Sequence, residues 1–239
     1  MNDTPAWNTN ALILCTLLPV LLMGSWLLEP THSLWQALDE KVFWAMNNSL
    51  ADNKSWQATW AVANNRMFDL VAALSMVLLF GHYALFRDRQ NLRHYIAIGM
   101  VLVCALFVAA LIGTQLIPIE RPSATAQFPE ALRLSELAPW IKTKDYSSDS
   151  FPGDHGVVLM MCAGFLVWHL PRSYGIAACI FAVLFTLPRL MSGAHWLTDE
   201  IVGAVAVDTL VMGWFFATPL QDKLLTWFEK LLGLFGKRG

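Results

Sequence analysis

Charge is the scarcest resource in this chain. Of 239 residues only 14% are Asp, Glu, Lys or Arg, where a soluble domain carries about 25%. Hydrophobic residues make up 56% and mean hydropathy is +0.48. That balance excludes an ordinary water-soluble domain. The net charge of -2 supplies no basic field, so nucleic acid is excluded as a partner. Cysteine is also sparse. Cys15, Cys104, Cys162 and Cys179 each sit in an apolar run without metal-ligand spacing, which excludes a zinc ribbon and argues against disulfides. The start of the chain lacks the Lys/Arg cluster of a secretory signal, so its first apolar stretch reads as a retained span. No internal repeat, low-complexity tract or linker is visible, which points to one membrane domain over 1–239.

What remains is apolar length. A helix needs about 20 apolar residues to cross a bilayer, and six segments qualify: 11–28, 68–86, 95–119, 157–170, 175–190 and 200–218. The expected fold is an all-α polytopic membrane bundle of six transmembrane helices. The short connections carry Arg87, Arg89, Arg93 and Arg172, and the tail carries Lys223, Lys230, Lys237 and Arg238. The opposite side holds as many Lys/Arg over much longer loops, so cation density makes the short-loop side cytoplasmic. The long loops 29–67 and 120–156 then face outward, to the periplasm of a Gram-negative cell. Leu34, Leu38, Val42, Phe43 and Met46 lie at helical spacing in the first. They predict a helix lying in the membrane interface or packed on the bundle. The second loop is expected to cap an active site. The segment 220–239 alternates Lys223, Glu229 and Lys230 with Leu224, Leu225, Trp227 and Phe228, as a cytoplasmic amphipathic tail would.

Ionisable residues at a membrane edge are costly and usually mark function. Here Arg189, His195 and Asp199 stand at the mouth of an apolar segment, with Arg121 and His155 upstream. All fall on the outer side in the assignment above. Phosphoryl transfer needs an in-line nucleophile, cations on the equatorial oxygens and a proton for the leaving group. His195 fits the nucleophile, Asp199 its orienter and His155 the acid. Arg121 and Arg189 fit the phosphate oxygens. Gly153, Asp154 and His155 open a helix whose free N–H groups favour an anion, with Pro152 suited to its first position. A competing reading makes Asp154, His155, His195 and Asp199 ligands of zinc or manganese. The two arginines favour an anion, so no metal and no cofactor is expected.

These residues resemble the type-2 phosphatidic acid phosphatase superfamily, whose pattern is Lys-six residues-Arg-Pro, then Pro-Ser-Gly-His, then Ser-Arg-five residues-His-three residues-Asp. This sequence has Thr114 to Arg121-Pro122, then Pro152-Gly153-Asp154-His155, then Pro188-Arg189, His195 and Asp199. The resemblance implies a phosphohistidine on His195, Asp199 as its orienter, His155 as general acid, and catalysis without a metal. Three positions depart: Thr114 replaces a lysine, Gly153 a serine and Asp154 a glycine. Arg66, Lys142 and Lys144 are candidates to restore the lost cation. The strings Asn64-Asn65-Arg66-Met67-Phe68-Asp69, Asp149 to Gly156, Pro188 to Trp196 and Thr218-Pro219-Leu220 narrow the resemblance to the lipid A 1-diphosphate synthase branch. That branch implies undecaprenyl pyrophosphate as donor, lipid A 1-phosphate as acceptor and membrane lipids as surroundings. Arg66 would then hold an acceptor or pyrophosphate group, or snorkel at a span end. The resemblance leaves regulation by a small membrane peptide open. Two rivals stand beside transfer: a lipid pyrophosphate phosphatase with water as acceptor, and a non-catalytic lipid carrier, for which no half-repeats with broken helices are evident.

Overall fold

A computed structural model describes residues 7–117 and 119–235, so the basic pair Lys237 and Arg238 lies outside the described residues. Eleven α-helices are described: α1 (Thr9–Leu27), α2 (Thr31–Asn48), α3 (Lys54–Ala63), α4 (Arg66–His82), α5 (Leu92–Leu111), α6 (Ala124–Gln127), α7 (Leu134–Leu137), α8 (Asp154–His169), α9 (Arg172–Met191), α10 (Val205–Phe216) and α11 (Leu220–Phe235). Among the described residues the only β pairing is an isolated bridge between Asn65 and Thr143. Wider π-helical turns extend α4 over Tyr83–Arg87 and α5 over Ile112–Leu116, and a third, Asp199–Ala204, precedes α10.

The composition explains the packing. Large apolar side chains such as Leu14 and Leu21 on α1, Leu70 and Val77 on α4, Phe107 on α5 and Val183 on α9 point outward, fully or half exposed. Apolar surface on this scale needs a lipid solvent. Inward positions are small: Ala97, Val101, Ala105 and Ala109 line one face of α5, and Ala178 and Ala182 one face of α9. Without a hydrophobic drive between helices in lipid, close backbone approach supplies the contact energy. Gly213 on α10 illustrates it, since a Cβ there would come within 2.3 Å of the Cys15 Cβ of α1.

Four helices are long and apolar enough to span: Thr9–Leu27, Arg66–Arg87, Arg89–Leu116 and Arg172–Met191. The pair Asp199–Phe216 and Leu220–Leu234 qualifies only together, and it bends by 68°. The helix Asp154–His169 is apolar but short. The multi-pass architecture is therefore evident in four to five spans, and the count of six is not reached on length alone. The shortfall has a cause. Both deficient segments open with chemistry-bearing residues, Asp154 and His155 in one and Asp199 and Glu200 in the other, which spend apolar length on the site.

The predicted outer-loop helix exists as α2, but its buried face is different. Asp39, Phe43 and Asn47 are buried while Leu34 and Leu38 are exposed. The two polar residues go inside because they are bonded there. Asn47 exchanges hydrogen bonds with the backbone of Leu132 in both directions, and Asp39 reaches the site described below. The tail helix α11 folds back on α5, burying Leu225 and Phe228, and Glu229 meets His94 at 2.6 Å.

Candidate active site

The N-terminal ends of α4 and α8, the C-terminal end of α9 and the turn before α10 meet at one end of the bundle. Loop 119–153 and α2 cover them. His195 is delivered by the turn that stops α9. Gly193 takes φ +70°, the left-handed conformation that glycine alone adopts freely. A side chain there would also strike Thr125 and Phe43. The turn tucks His195 inside, 4% exposed. Its Nδ1 lies 2.9 Å from the Ser150 carbonyl oxygen. A carbonyl only accepts, so Nδ1 carries the proton and Nε2 is left with its lone pair whenever the ring is neutral. That Nε2 has no hydrogen-bond partner.

Asp199 stands farther back than the sequence implied. Its Oδ2 is 3.5 Å from His195 Nδ1, too long for a hydrogen bond, and accepts instead from the Trp196 N–H at 2.7 Å. The orienting contact belongs to Ser150; Asp199 supports the ring by charge. Oδ1 of Asp199 binds Arg121 at 2.7 Å. Arg121 also binds Asp39 at 2.6 Å and lies over Trp26 and Trp196. In this arrangement it bridges two carboxylates behind the histidine, and its hold on a substrate phosphate stays an expectation. Arg189 is paired in the same way. It is 2% exposed and gives Nη2 to both Asp69 oxygens and Nη1 to Asn64 Oδ1, all at 2.7 Å. A guanidinium this deep requires a carboxylate, and in this arrangement Asp69 supplies it. Nη2 is also 2.9 Å from His155 Nε2.

His155 sits between two carboxylates, with Asp69 3.0 Å from Nε2 and Asp154 2.8 Å from Nδ1. Asp154 Oδ1 also lies 3.4 Å from His195 Nε2. It spans the two imidazoles, where the sequence reading had it beside a phosphate. It stands where a phosphoryl group would have to enter. The helix-opening anion site is partly consumed as well: the Gly153 N–H donates to the Asp199 carbonyl at 3.0 Å, and Pro152 precedes the helix, with Gly153 as N-cap.

Burial lowers the pKa of His195, but Asp154, Asp199 and Glu200 outweigh it and push the ring up to about 10. Attack through Nε2 would require the neutral ring, which these carboxylates disfavour. Asp154→Asn removes one of these carboxylates. The rising limb of the pH–rate profile for donor cleavage should move to lower pH by about one unit. A limb that stays in place would separate Asp154 from the titration of His195.

A cavity of about 480 Å³ opens on this cluster. Leu106, Ala109, Val157 and Val158 form an apolar wall, and His195, Asp154, Lys144 and Thr114 line the polar part. Lys144 lines the same cavity as Thr114, whose own hydroxyl is turned to the Ala110 carbonyl. Arg66 is exposed and lines a separate pocket. Asp154, His155 and His195 also bring three ligand atoms within 4.8 Å of one another, close enough to hold a divalent ion, although Arg189 sets a positive charge against one of the rings.

The sequence reading missed five participants. Asp39 looked like a solvated residue of an amphipathic helix. Ser150 acts through its carbonyl, which no side-chain pattern reveals. Asn64 and Asp69 sat in a noted string without a role. Glu200 went unremarked beside Asp199. It is 2% exposed, with both carboxylate oxygens unpartnered, packed so tightly on the α8 entry that a Cβ at Gly153 or Gly156 would collide with it. An acidic residue opening an apolar run was the available signal.

Residues 119–221 match the PAP2 superfamily. A relative from Escherichia coli (strain K12) named "Lipid A 1-diphosphate synthase" is 36% identical over 225 residues, covering 94% of each chain. A second from the same organism, named "Putative undecaprenyl-diphosphatase YbjG", is 27% identical over 80% of this chain and 91% of its own. Among solved structures, a transmembrane PAP2-type phosphatidylglycerolphosphate phosphatase from Bacillus subtilis aligns over 95% of this chain and 98% of its own, at 18% identity and a TM-score of 0.47.

Proposed function

The chain belongs to the PAP2 superfamily, and from that premise we propose that it is a lipid phosphotransferase that moves a phosphate from undecaprenyl pyrophosphate to the 1-phosphate of lipid A. One observation carries the chemistry: a buried histidine with an unpartnered Nε2 at a cavity that has one apolar wall and one lysine. The named relatives supply the substrate class. The protein is a multi-pass membrane enzyme, and we assign it to the bacterial inner membrane with the site facing the periplasm. The cation-rich short loops support that orientation. The short helix α8, and α10 with the turn that precedes it, complete six spans in this reading. Exposed Leu34 and Leu38 rest α2 against the interface, loop 120–156 forms the site's periplasmic cover, and 220–239 is the cytoplasmic tail.

In the first step the donor's terminal phosphate displaces the Asp154 carboxylate from between the two rings. Neutral His195 attacks phosphorus through Nε2 as the bridging P–O bond breaks. The departing undecaprenyl phosphate takes a proton from His155. Positive charge on the phosphorylated ring is offset by Asp199 and by the Ser150 carbonyl. In the second step an oxygen of lipid A 1-phosphate attacks the phosphohistidine. The N–P bond breaks, His155 recovers a proton from the acceptor, and Nε2 regains its lone pair. Lys144 binds the phosphate oxygens in both steps, and Gly153 lets the backbone approach them. Splitting the transfer through a covalent intermediate lowers each barrier.

The test is product analysis by mass spectrometry after incubating the purified protein with both lipids in EDTA. Lipid A 1-diphosphate and undecaprenyl phosphate are expected. Free phosphate without doubly phosphorylated lipid A would make the protein a lipid pyrophosphate phosphatase. Loss in EDTA with recovery on adding zinc or manganese would turn the Asp154, His155 and His195 cluster into a metal site.

A further inference from the structure

Beside the cavity lies a second pocket, of about 260 Å³, that the transfer chemistry does not use. Its walls carry four cations, Arg66, Arg133, Lys142 and Lys144, against one carboxylate, Asp145. Arg133 is paired with Asp145 at 3.2 Å, and Glu136 stands 3.6 Å away. Among the described residues, Arg66, Lys142 and Lys144 have no acidic partner within salt-bridge distance. Two further lining groups are unspent: Thr143 Oγ1 and Arg133 Nε are buried without a hydrogen-bond partner. Like charges are held together here at a cost, and orphaned donors add to it.

The cluster is built rather than a floppy surface loop. Asn65 donates to the Lys142 carbonyl and Asn64 to the Lys144 carbonyl, both at 2.7 Å, and Asn65 pairs with Thr143 in the isolated bridge. Asn64 accepts from Arg189 at 2.7 Å on its other side. The basic loop is thereby tied to the start of α4 and to the reacting centre. Lys144 lines both this pocket and the cavity that holds His195.

We propose that this pocket binds a second phosphate group of the acceptor, at the end of its headgroup remote from the phosphate that reacts. The inference rests on the transferase reading above. The ligand class is a phosphate monoester on a carbohydrate headgroup. Several convergent cations with a free hydroxyl fit its three oxygens. The donor does not fit, because its two phosphates share one bridging oxygen and both belong at His195. An acceptor with phosphates at opposite ends of a sugar headgroup fits both sites, with Lys144 between them.

The test uses the full chain in nanodiscs and two acceptors: bisphosphorylated lipid A, and lipid A stripped of the remote phosphate. Wild type should prefer the bisphosphate by about tenfold or more in kcat/KM, mainly through KM. In the Arg66→Gln, Lys142→Gln double variant the preference should collapse toward unity. Binding of the same two lipids without donor is measured in parallel and should change in the same ratio. No preference in wild type, or a preference that survives in the variant, overturns the proposal. If neither lipid is phosphorylated but the binding difference appears, the transferase reading fails while the pocket stands. If transfer proceeds without any difference between the lipids, the pocket fails and the transferase reading stands. Should the variant be inactive, the binding ratio alone decides. Inorganic phosphate is titrated in the binding arm; displacement at concentrations matching the lipid's own would make the pocket a free-anion site and overturn the assignment.

Discussion

Replacing His195 by alanine is expected to lower phosphate transfer on the order of 10³-fold or more and to abolish the phosphoenzyme. Among the described residues that line the cavity, His195 is the only imidazole. The Ser150 carbonyl fixes the proton on Nδ1, and Nε2 faces no donor. One competitor is in reach. Asp154 Oδ1 lies 3.4 Å from that nitrogen, and a carboxylate can also take a phosphoryl group. The chemistry of the trapped intermediate separates them. Donor labelled on its terminal phosphate should give an acid-labile, alkali-stable phosphoenzyme in wild type and none in His195→Ala. An alkali-labile label that persists in His195→Ala would transfer the nucleophile's role to Asp154. His155→Ala should behave differently. It removes the leaving group's acid but not the nucleophile, so the phosphoenzyme should still form, roughly 10²-fold more slowly.

The residues proposed to react were legible because their chemistry is side-chain chemistry at an improbable place. His155, His195 and Asp199 in apolar surroundings stand out from sequence alone, and they do converge. The arginines were legible as site residues but not in the partners they hold here. Sequence shows a guanidinium near a phosphate chemistry; only packing shows that Asp39 and Asp69 occupy it. Those partners are invisible for a physical reason. Asp39 lies 159 residues from Thr198, whose N–H and hydroxyl both bind it, and no local period encodes such a pairing. The register of α2 shows the same limit. Its apolar stripe fitted a helix in the interface or one packed on the bundle, and gave no sign that Asp39 and Asn47 would take the inward face, where their hydrogen bonds are satisfied. The span count was blurred at α8 and before α10, where the site itself consumes hydrophobic length.

Arg121→Ala is the substitution expected to cost most in stability, about 3–5 kcal/mol. Its guanidinium is the shared counter-charge of Asp39 and Asp199, whose side chains are both fully buried. Removing it leaves Asp39 without a cation and Asp199 with only the more distant His195 ring, and also strips the Trp26 and Trp196 faces of their partner. Lysine is no substitute, because one ammonium cannot reach both carboxylates and lie flat on two indoles. Pairing Arg121→Ala with Asp39→Asn should recover part of the loss, since one of the two orphaned charges disappears. Thermal unfolding of the full chain in detergent measures all four members of this cycle. Transfer should fall with stability in Arg121→Ala, because Asp199 loses its anchor and His195 its charge support, and the fall should appear in kcat. The opposite pattern is informative. An Arg121→Ala protein that unfolds like wild type, with its defect confined to KM for the donor, would restore Arg121 to the substrate phosphate. The bridge between Asp39 and Asp199 would then be an arrangement that substrate dissolves.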